Sequence, residues 1–365
     1  MQLKKSVLFV LMIIIFIYLE IHSCTEDAPL APQPEGSVAD NLIYRAMDIY
    51  FMDRQTGWAI GYNGTIMKTT DGGETWVGMT VDSGDFRDVQ FLDKDRGWLA
   101  GKDGAFYRTS SGGAIWDRVV SSGYPEDEDF SNVWFQGDTL GFIQGLLGVY
   151  RTEDGGEEWN NYWLPFVPYK GAWDMSFVND REGYLLGTQW MEPDPVLLYL
   201  TTDGGLTWRG VFGARSSILT GVLTITFVGE GTGWAGGGVI MKTTDSGQTW
   251  ETQLDPAVVR EFFFLDEQCG FAIGGTSAVK TVDGGSSWID ISPDDERVRD
   301  LRAAYFFDEN TGWVIGLGQE VTEGSSIFQN SVLLKTTDGG ASWTLWEYSF
   351  DISQINSEIT ESDYE

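Results

Sequence analysis

Histidine, cysteine and basic side chains are scarce in this chain. Of its 365 residues one is histidine, two are cysteine and 23 are Lys or Arg, against 55 Asp or Glu. His22 falls inside a leader-like opening segment, so the mature chain is expected to hold no Ser-His-Asp triad, no Cys-His pair and no histidine metal site. The cysteines are Cys24, expected to carry lipid, and Cys269, which reads as a small, partly buried turn residue; no internal disulfide follows. The formal charge of −32 repels nucleic acid and anionic lipid. Short acidic runs at 126–129 and 294–296 lack the ordered spacing of a calcium loop, so neither metal nor cofactor is expected.

Long apolar runs are also missing, apart from residues 7–19, which follow Lys4 and Lys5 and are too short to span a bilayer comfortably. Ile21 and Ser23 before Cys24 match a lipoprotein processing site, although Glu20 and His22 are unusual there. Residues 1–23 are thus read as a lipoprotein signal peptide and Cys24 as the lipidated N-terminus. Residues 24–42, with Pro29, Pro32 and Pro34, read as a semi-rigid tether reaching roughly 50 Å at ~3.1 Å per residue. Residues 43–350 form the folded domain and 351–365 an acidic polar tail.

What is abundant is repetition. TTDGGETW at 69–76 returns as TSSGGAIW (109–116), TEDGGEEW (152–159), TTDGGLTW (201–208), TTDSGQTW (243–250), TVDGGSSW (281–288) and TTDGGASW (336–343). The spacings are 40, 43, 49, 42, 38 and 55 residues, the period of a four-stranded propeller blade. In each copy an Asp can accept backbone amides of the following turn, the glycines supply positive-φ positions, and the Trp can fold back as an apolar plug. The structural carboxylates are Asp71, Asp154, Asp203, Asp245, Asp283 and Asp338; the second copy has Ser111 instead, which predicts a looser turn in blade 2.

Upstream of every copy stands a second pattern: FMDRQTGWAIG from Phe51, FLDKDRGWLAG from Phe91, FQGDTLGFIQG from Phe135, FVNDREGYLLG from Phe177, FVGEGTGWAGG from Phe227, FLDEQCGFAIG from Phe264 and FFDENTGWVIG from Phe306. Each reads as strand, polar turn, strand. Blade 1 is then strand A ending near Phe51, strand B at 58–61, strand C at 65–69 and strand D from Trp76. Eleven of the 16 Trp occupy repeat positions, so they are assigned to packing rather than to a ligand surface. The expectation is an all-β, seven-bladed propeller, each blade complete within its own stretch of chain.

The Thr-Asp-Gly-Trp motif resembles the Asp-box, or bacterial neuraminidase repeat. Its pairing with F-x-D/N-x-x-x-G-W, across roughly 43–350, resembles the photosystem II assembly factor family and its non-photosynthetic bacterial lipoprotein relatives. The resemblance places an Asp-box in each strand C to strand D turn. It also implies a non-enzymatic assembly factor or scaffold that holds a protein or peptide client, monomeric and lipid-anchored in the Gram-negative outer membrane. A carbohydrate-active propeller, either a sialidase- or xyloglucanase-type glycoside hydrolase or a glycan-binding module, is the alternative, because such a hydrolase needs only two suitably spaced acids. The chain has no Arg-Ile-Pro segment of the sialidase kind, and xyloglucanases pair two propellers in a chain about twice as long.

The longer connections fall on the face opposite the Asp-boxes, at 188–196, 317–331, 165–171 and 292–300. Long connections in a compact repeat more often mark function than accident. Counting four residues back from the strand A phenylalanine gives Arg87, Arg260 and Arg302, with Arg45 six back in blade 1. Blades 6, 7, 1 and 2 are consecutive in a closed ring, so these guanidiniums are expected to form an arc at the channel mouth suited to carboxylates. The competing expectation is local pairing with Asp88, Glu261 or Asp300. Across the ring Trp163, Phe166, Tyr169 and Trp190 are candidates for an apolar recognition patch.

Overall fold

A computed structural model of the chain describes residues 45–81, 84–146, 148–162, 172–188, 196–212, 222–323 and 326–346. The signal peptide, Cys24, the tether and the 351–365 tail lie outside the described residues.

Among the described residues, 28 strands form seven sheets of four, each sheet built from consecutive antiparallel strands. Blade 1 comprises Ala46–Phe51, Gly57–Gly61, Thr65–Thr69 and Val77–Thr80, close to the spans expected from the sequence. The other innermost strands are Phe86–Phe91, Phe130–Gln136, Ala172–Phe177, Val222–Phe227, Glu261–Phe264 and Asp300–Phe306. Each lies beside the next, and Asp300–Phe306 returns to Ala46–Phe51, closing the ring. The last blade uses Asp300–Phe306, Gly312–Glu323, Ser326–Thr336 and Thr344–Trp346, so among the described residues no strand from elsewhere completes it.

The Phe and Gly-Trp halves of the repeat meet across blade boundaries. Trp58 stacks on Phe91 with centroids 3.6 Å apart, Trp98 on Phe135 at 3.7 Å and Trp234 on Phe264 at 3.9 Å. Where the sequence substitutes another aromatic the stack persists: Tyr184 on Phe227 at 3.4 Å, Phe271 on Phe306 at 3.5 Å and Phe142 on Phe177 at 4.2 Å. At the closure Trp313 and Phe51 are also near-parallel, but 6.1 Å apart. Glycine precedes the aromatic because Phe51 folds over it: a Cβ on Gly57 would meet the ring at 2.4 Å.

The hairpin between third and fourth strands follows from its own side chains. Asp71 Oδ1 accepts the Thr75 amide at 2.9 Å and the Thr69 hydroxyl at 2.8 Å, while Oδ2 accepts the Thr75 hydroxyl at 2.6 Å. Gly72 and Gly73 have φ of 74° and 86°, the left-handed region that disfavours a side chain. Trp76 donates its indole N–H to Gly73 O at 3.2 Å. In blade 2 Ser111 Oγ accepts the Ile115 amide at 2.9 Å, and Gly112 and Gly113 keep φ of 64° and 80°. The expected looser turn is therefore a turn of the same shape with fewer bonds.

The connection expected as a loop at 317–331 is a β-hairpin instead. Its two strands keep pairing from Leu317↔Ser331 out to Glu323↔Ser326. The register shifts once, between Leu317 and Glu320, before the ladder continues.

Candidate functional site

The inner strands expose every second residue sideways, and these residues stitch one blade to the next around the channel. Asp48 Oδ2 accepts the Val89 amide at 2.9 Å and Asp88 Oδ2 the Val133 amide at 2.6 Å. Asp174 Oδ2 accepts the Ile225 amide at 2.8 Å and the Thr224 hydroxyl at 2.7 Å, and Glu261 Oε1 the Ala304 amide at 3.3 Å. All four residues stand three places before the strand-ending phenylalanine. Two places further along, Gln90 Oε1 takes the Phe135 amide at 2.5 Å and Ser176 Oγ the Phe227 amide at 2.9 Å.

These carboxyls line a cavity of about 340 Å³ together with Arg87, Asn132, Thr224 and Arg260. Enclosure between blades raises their affinity for protons. Burial, then repulsion from Glu261, moves Asp48 up to about 7; burial moves Asp174 up to about 6. Asp88 and Glu261 are raised well above the ordinary carboxylate range, again by burial first. Asp48 and Asp88 also influence each other, the Asp48 carboxyl adding to the rise at Asp88.

The arginines divide. Arg87 and Arg260 line the same cavity. Arg87 lies 3.2 Å from Asp129, its side chain 24 % exposed. Arg260 and Arg302 both reach Asp300, at 3.0 and 2.7 Å, with side-chain exposures of 30 % and 15 %. Local pairing is thus realised with Asp300 and Asp129, whereas Asp88 and Glu261 turn to the channel and bind backbone. Arg45 is not among the residues lining that cavity, and its guanidinium lies 5.5 Å from the centroid of the Tyr62 ring. Trp163, Phe166, Tyr169 and Trp190 lie outside the described residues, as does the 165–171 connection.

The channel carboxyls escaped the sequence reading, which weighed Asp88 and Glu261 only as partners for arginine. Their signal was a polar residue at one fixed place, Asp48, Asp88, Asn132, Asp174, Thr224 and Glu261, inside strands otherwise rich in apolar side chains. Among the described residues no group of three or more His, Cys, Asp or Glu is arranged to hold a metal ion.

The sequence model of photosynthesis system II assembly factor YCF48 matches residues 77–170. The photosystem II assembly lipoprotein Ycf48 of Picosynechococcus is 27 % identical over 332 residues, covering 86 % of this chain and 93 % of its own. The chain resembles photosystem II assembly factors in sequence. A solved structure described as YCF48 bound to D1 peptide superposes with a TM-score of 0.62 at 20 % identity, covering 82 % of this chain and 95 % of that one. An ancestral GH74 enzyme superposes at 0.52 and 14 % identity, covering 84 % of this chain and 49 % of the enzyme, a likeness of fold alone.

Proposed function

We propose that this chain is a non-enzymatic, lipid-anchored propeller of the bacterial envelope that holds a protein or peptide client on the face where the inner strands begin. The observation that carries this reading is the convergence of Arg87 and Arg260 on one cavity at the channel. The likeness to an assembly lipoprotein and to a propeller described with a bound peptide supports it. Asp300 neutralises only one of the two guanidiniums it touches, so the mouth near blades 6 and 7 keeps cationic character within an acidic protein. The channel carboxyls act as staples between blades, each spent on a neighbouring backbone amide, which disfavours the glycoside hydrolase reading.

Export and anchoring rest on Cys24 and the segment before it; the reading places the mature protein, a monomer, at the outer membrane of a Gram-negative cell. Cys24→Ser should release it from the membrane fraction with the propeller still folded.

The client reading is tested by affinity capture from envelope extracts with the Arg87→Gln, Arg260→Gln, Arg302→Gln triple variant as control. Glutamine is preferred to glutamate because Glu at 260 and 302 would crowd two carboxylates onto Asp300. A client retained by the wild type and lost by the variant, at a melting temperature within a few degrees, supports the reading. Equal capture by both moves the site to the aromatic residues of blades 3 and 4.

A further inference from the structure

The face that carries the Asp-boxes has a chemistry of its own. Each box is bonded to the first turn of its blade: the Gly72 amide donates to Gln55 O at 2.8 Å, Gly112 to Asp95 O at 2.7 Å, Gly284 to Gln268 O at 2.9 Å and Gly339 to Asn310 O at 2.8 Å. The two sets of turns therefore make one surface around the end of the channel where the inner strands stop. The five residues after each strand-ending phenylalanine, together with the seven boxes, hold 21 Asp or Glu and four Lys or Arg. Three of those four cations are spent on the face's own acids, Arg54 on Asp308, Lys94 on Asp95 and Arg96 on Asp93. The lysines that close the third strands, Lys68, Lys242 and Lys280, are turned to backbone carbonyls of the neighbouring blade.

Inside this acidic rim lies an apolar ring. The residue directly after the strand-ending phenylalanine is Met52, Leu92, Val178, Val228, Leu265 or Phe307 in six blades, each packed on a core cluster and still partly exposed. Two places earlier, in the consecutive blades 6, 7 and 1, stand three more half-buried aromatic side chains. Tyr305 lies between Phe263 and Tyr50, with centroids 5.1 and 5.6 Å away, and 5.5 Å from Phe307. Blades 2, 4 and 5 hold Gln90, Ser176 and Thr226 at that place, so the apolar wall is deepest on the side of blades 6, 7 and 1. This side already seats one cation: the Arg54 guanidinium lies 5.3 Å from the Phe307 centroid while it pairs with Asp308. A ring face beside a carboxylate is a favourable place for a positive group.

We infer that the Asp-box end of the channel is a second docking surface, which takes a basic amphipathic segment of another protein. Apolar side chains of the segment cover Leu265, Phe307 and Met52, which water otherwise meets. Its Lys or Arg side chains face the acidic rim, where Glu267 and Glu309 are exposed beside two of those residues. Charge complementarity selects this occupant: a formal charge of −32 draws in a basic segment and turns away an acidic one. The two ends of one channel thereby differ in kind, with guanidiniums where the inner strands begin and carboxylates around an apolar ring where they stop.

The test uses the full-length chain, labelled at its methionine methyls, and follows the Met52 methyl resonance during titration with three peptides. N-acetyl-Leu-Lys-Lys-Phe-Leu-Lys-amide is basic and apolar, N-acetyl-Leu-Glu-Glu-Phe-Leu-Glu-amide is its acidic counterpart, and N-acetyl-Ser-Lys-Lys-Ser-Ser-Lys-amide keeps the charge alone. The first should shift Met52 saturably and leave Met47, which lines the cavity with the arginines, in place. The second should not bind, and the third should bind about tenfold more weakly for want of apolar contact. Leu265→Gln should weaken binding of the first peptide about tenfold. Because Leu265 also packs on the core, a second variant changes exposed side chains only: Glu267→Gln with Glu309→Gln should weaken binding about fivefold at low salt and much less at high salt. The Arg87→Gln, Arg260→Gln, Arg302→Gln variant should bind the first peptide as the wild type does. No saturable shift, equal binding of the acidic peptide, unchanged binding in both rim variants, or loss of binding in the triple arginine variant would overturn the inference. A Met52 shift that follows protein concentration alone would also overturn it, by making this surface a contact between copies of the chain.

Discussion

Lys335 in the last blade donates to Gly72 O in the first at 3.1 Å, and lies 2.9 Å from Glu74. The same clamp recurs between covalently consecutive blades, from Lys68 to Gly112 O at 2.6 Å and from Lys242 to Gly284 O at 2.7 Å, each ammonium also lying over its own blade's Trp. At the seam no chain connection supports it. Lys335→Met should therefore cost ~1.5 to 3 kcal/mol, as loss of a charged hydrogen bond does, and should raise hydrogen exchange selectively in blades 1 and 7. Lys68→Met should cost a similar amount without local opening. Equal exchange patterns in the two variants would show that the seam is held by the apolar contacts of Phe51, Trp76, Trp313 and Leu333 alone.

Trp234 is fully buried between Lys242 and Phe264, whereas Trp250, which plugs the next hairpin, is half-buried. Trp234→Ala should cost ~3 to 5 kcal/mol, in the range of large buried aromatics, and Trp250→Ala measurably less. Thermal denaturation of both variants decides it; a larger loss at Trp250 would mean that hairpin closure outweighs blade stacking.

How legible this was from sequence depends on whether a residue repeats. Phe51, Gly57, Thr69 and Trp76 recur at one place in all seven blades, Asp71 in six, and Trp58 in four with another aromatic in the other three, so their roles as stack and hairpin were readable before any coordinates. The channel residues vary between Asp, Asn, Thr, Glu and Ala at one place, so only the three-dimensional ring shows that Asp48, Asp88, Asp174 and Glu261 do one job. The arginine arc was half legible. Spacing put Arg87 and Arg260 on one cavity, but it could not show that Asp300 serves Arg260 and Arg302 together, because that carboxylate comes from the neighbouring blade's strand start.

Ser111 and Ile115 form a linked departure. In five hairpins the residue four places after the Asp is Thr or Ser, and its hydroxyl donates to Oδ2, as Thr207 does to Asp203 at 2.5 Å and Ser287 to Asp283 at 2.6 Å. Blade 2 has lost both partners, and Ile115 is left 65 % exposed. Restoring them together, Ser111→Asp with Ile115→Thr, should stabilise by more than the sum of the single changes, with a coupling of about 0.5 to 1 kcal/mol. Additive melting shifts in a double-mutant cycle would show that the Ser111 hydroxyl already satisfies the turn.

The channel carboxyls set the sign of the pH dependence. Because Asp48 is raised to about 7 and Asp174 to about 6, the folded chain binds more protons than the unfolded chain between pH 4 and these values. Stability should therefore fall as pH rises from 5 to 8, with Asp88 and Glu261 shifted in the same direction. Arg87 and Arg260, the cations lining the same cavity, temper this repulsion without reversing it. On the acid side the hairpin and turn carboxylates run the other way: Asp71 and Asp93 are held down to about 2 by hydrogen bonds, first from the Thr75 side chain and from Arg96 respectively, so their contribution is lost as pH drops from 4 to 2. Chemical denaturation across pH 3 to 8 should place the maximum near pH 5. Asp48→Asn keeps an acceptor for the Val89 amide, removes the charge, and should flatten the alkaline limb while leaving the acid limb unchanged. A stability curve that climbs toward pH 8 in the wild type, or an alkaline limb of equal slope in Asp48→Asn, would show that these carboxyls are charged in the folded ring.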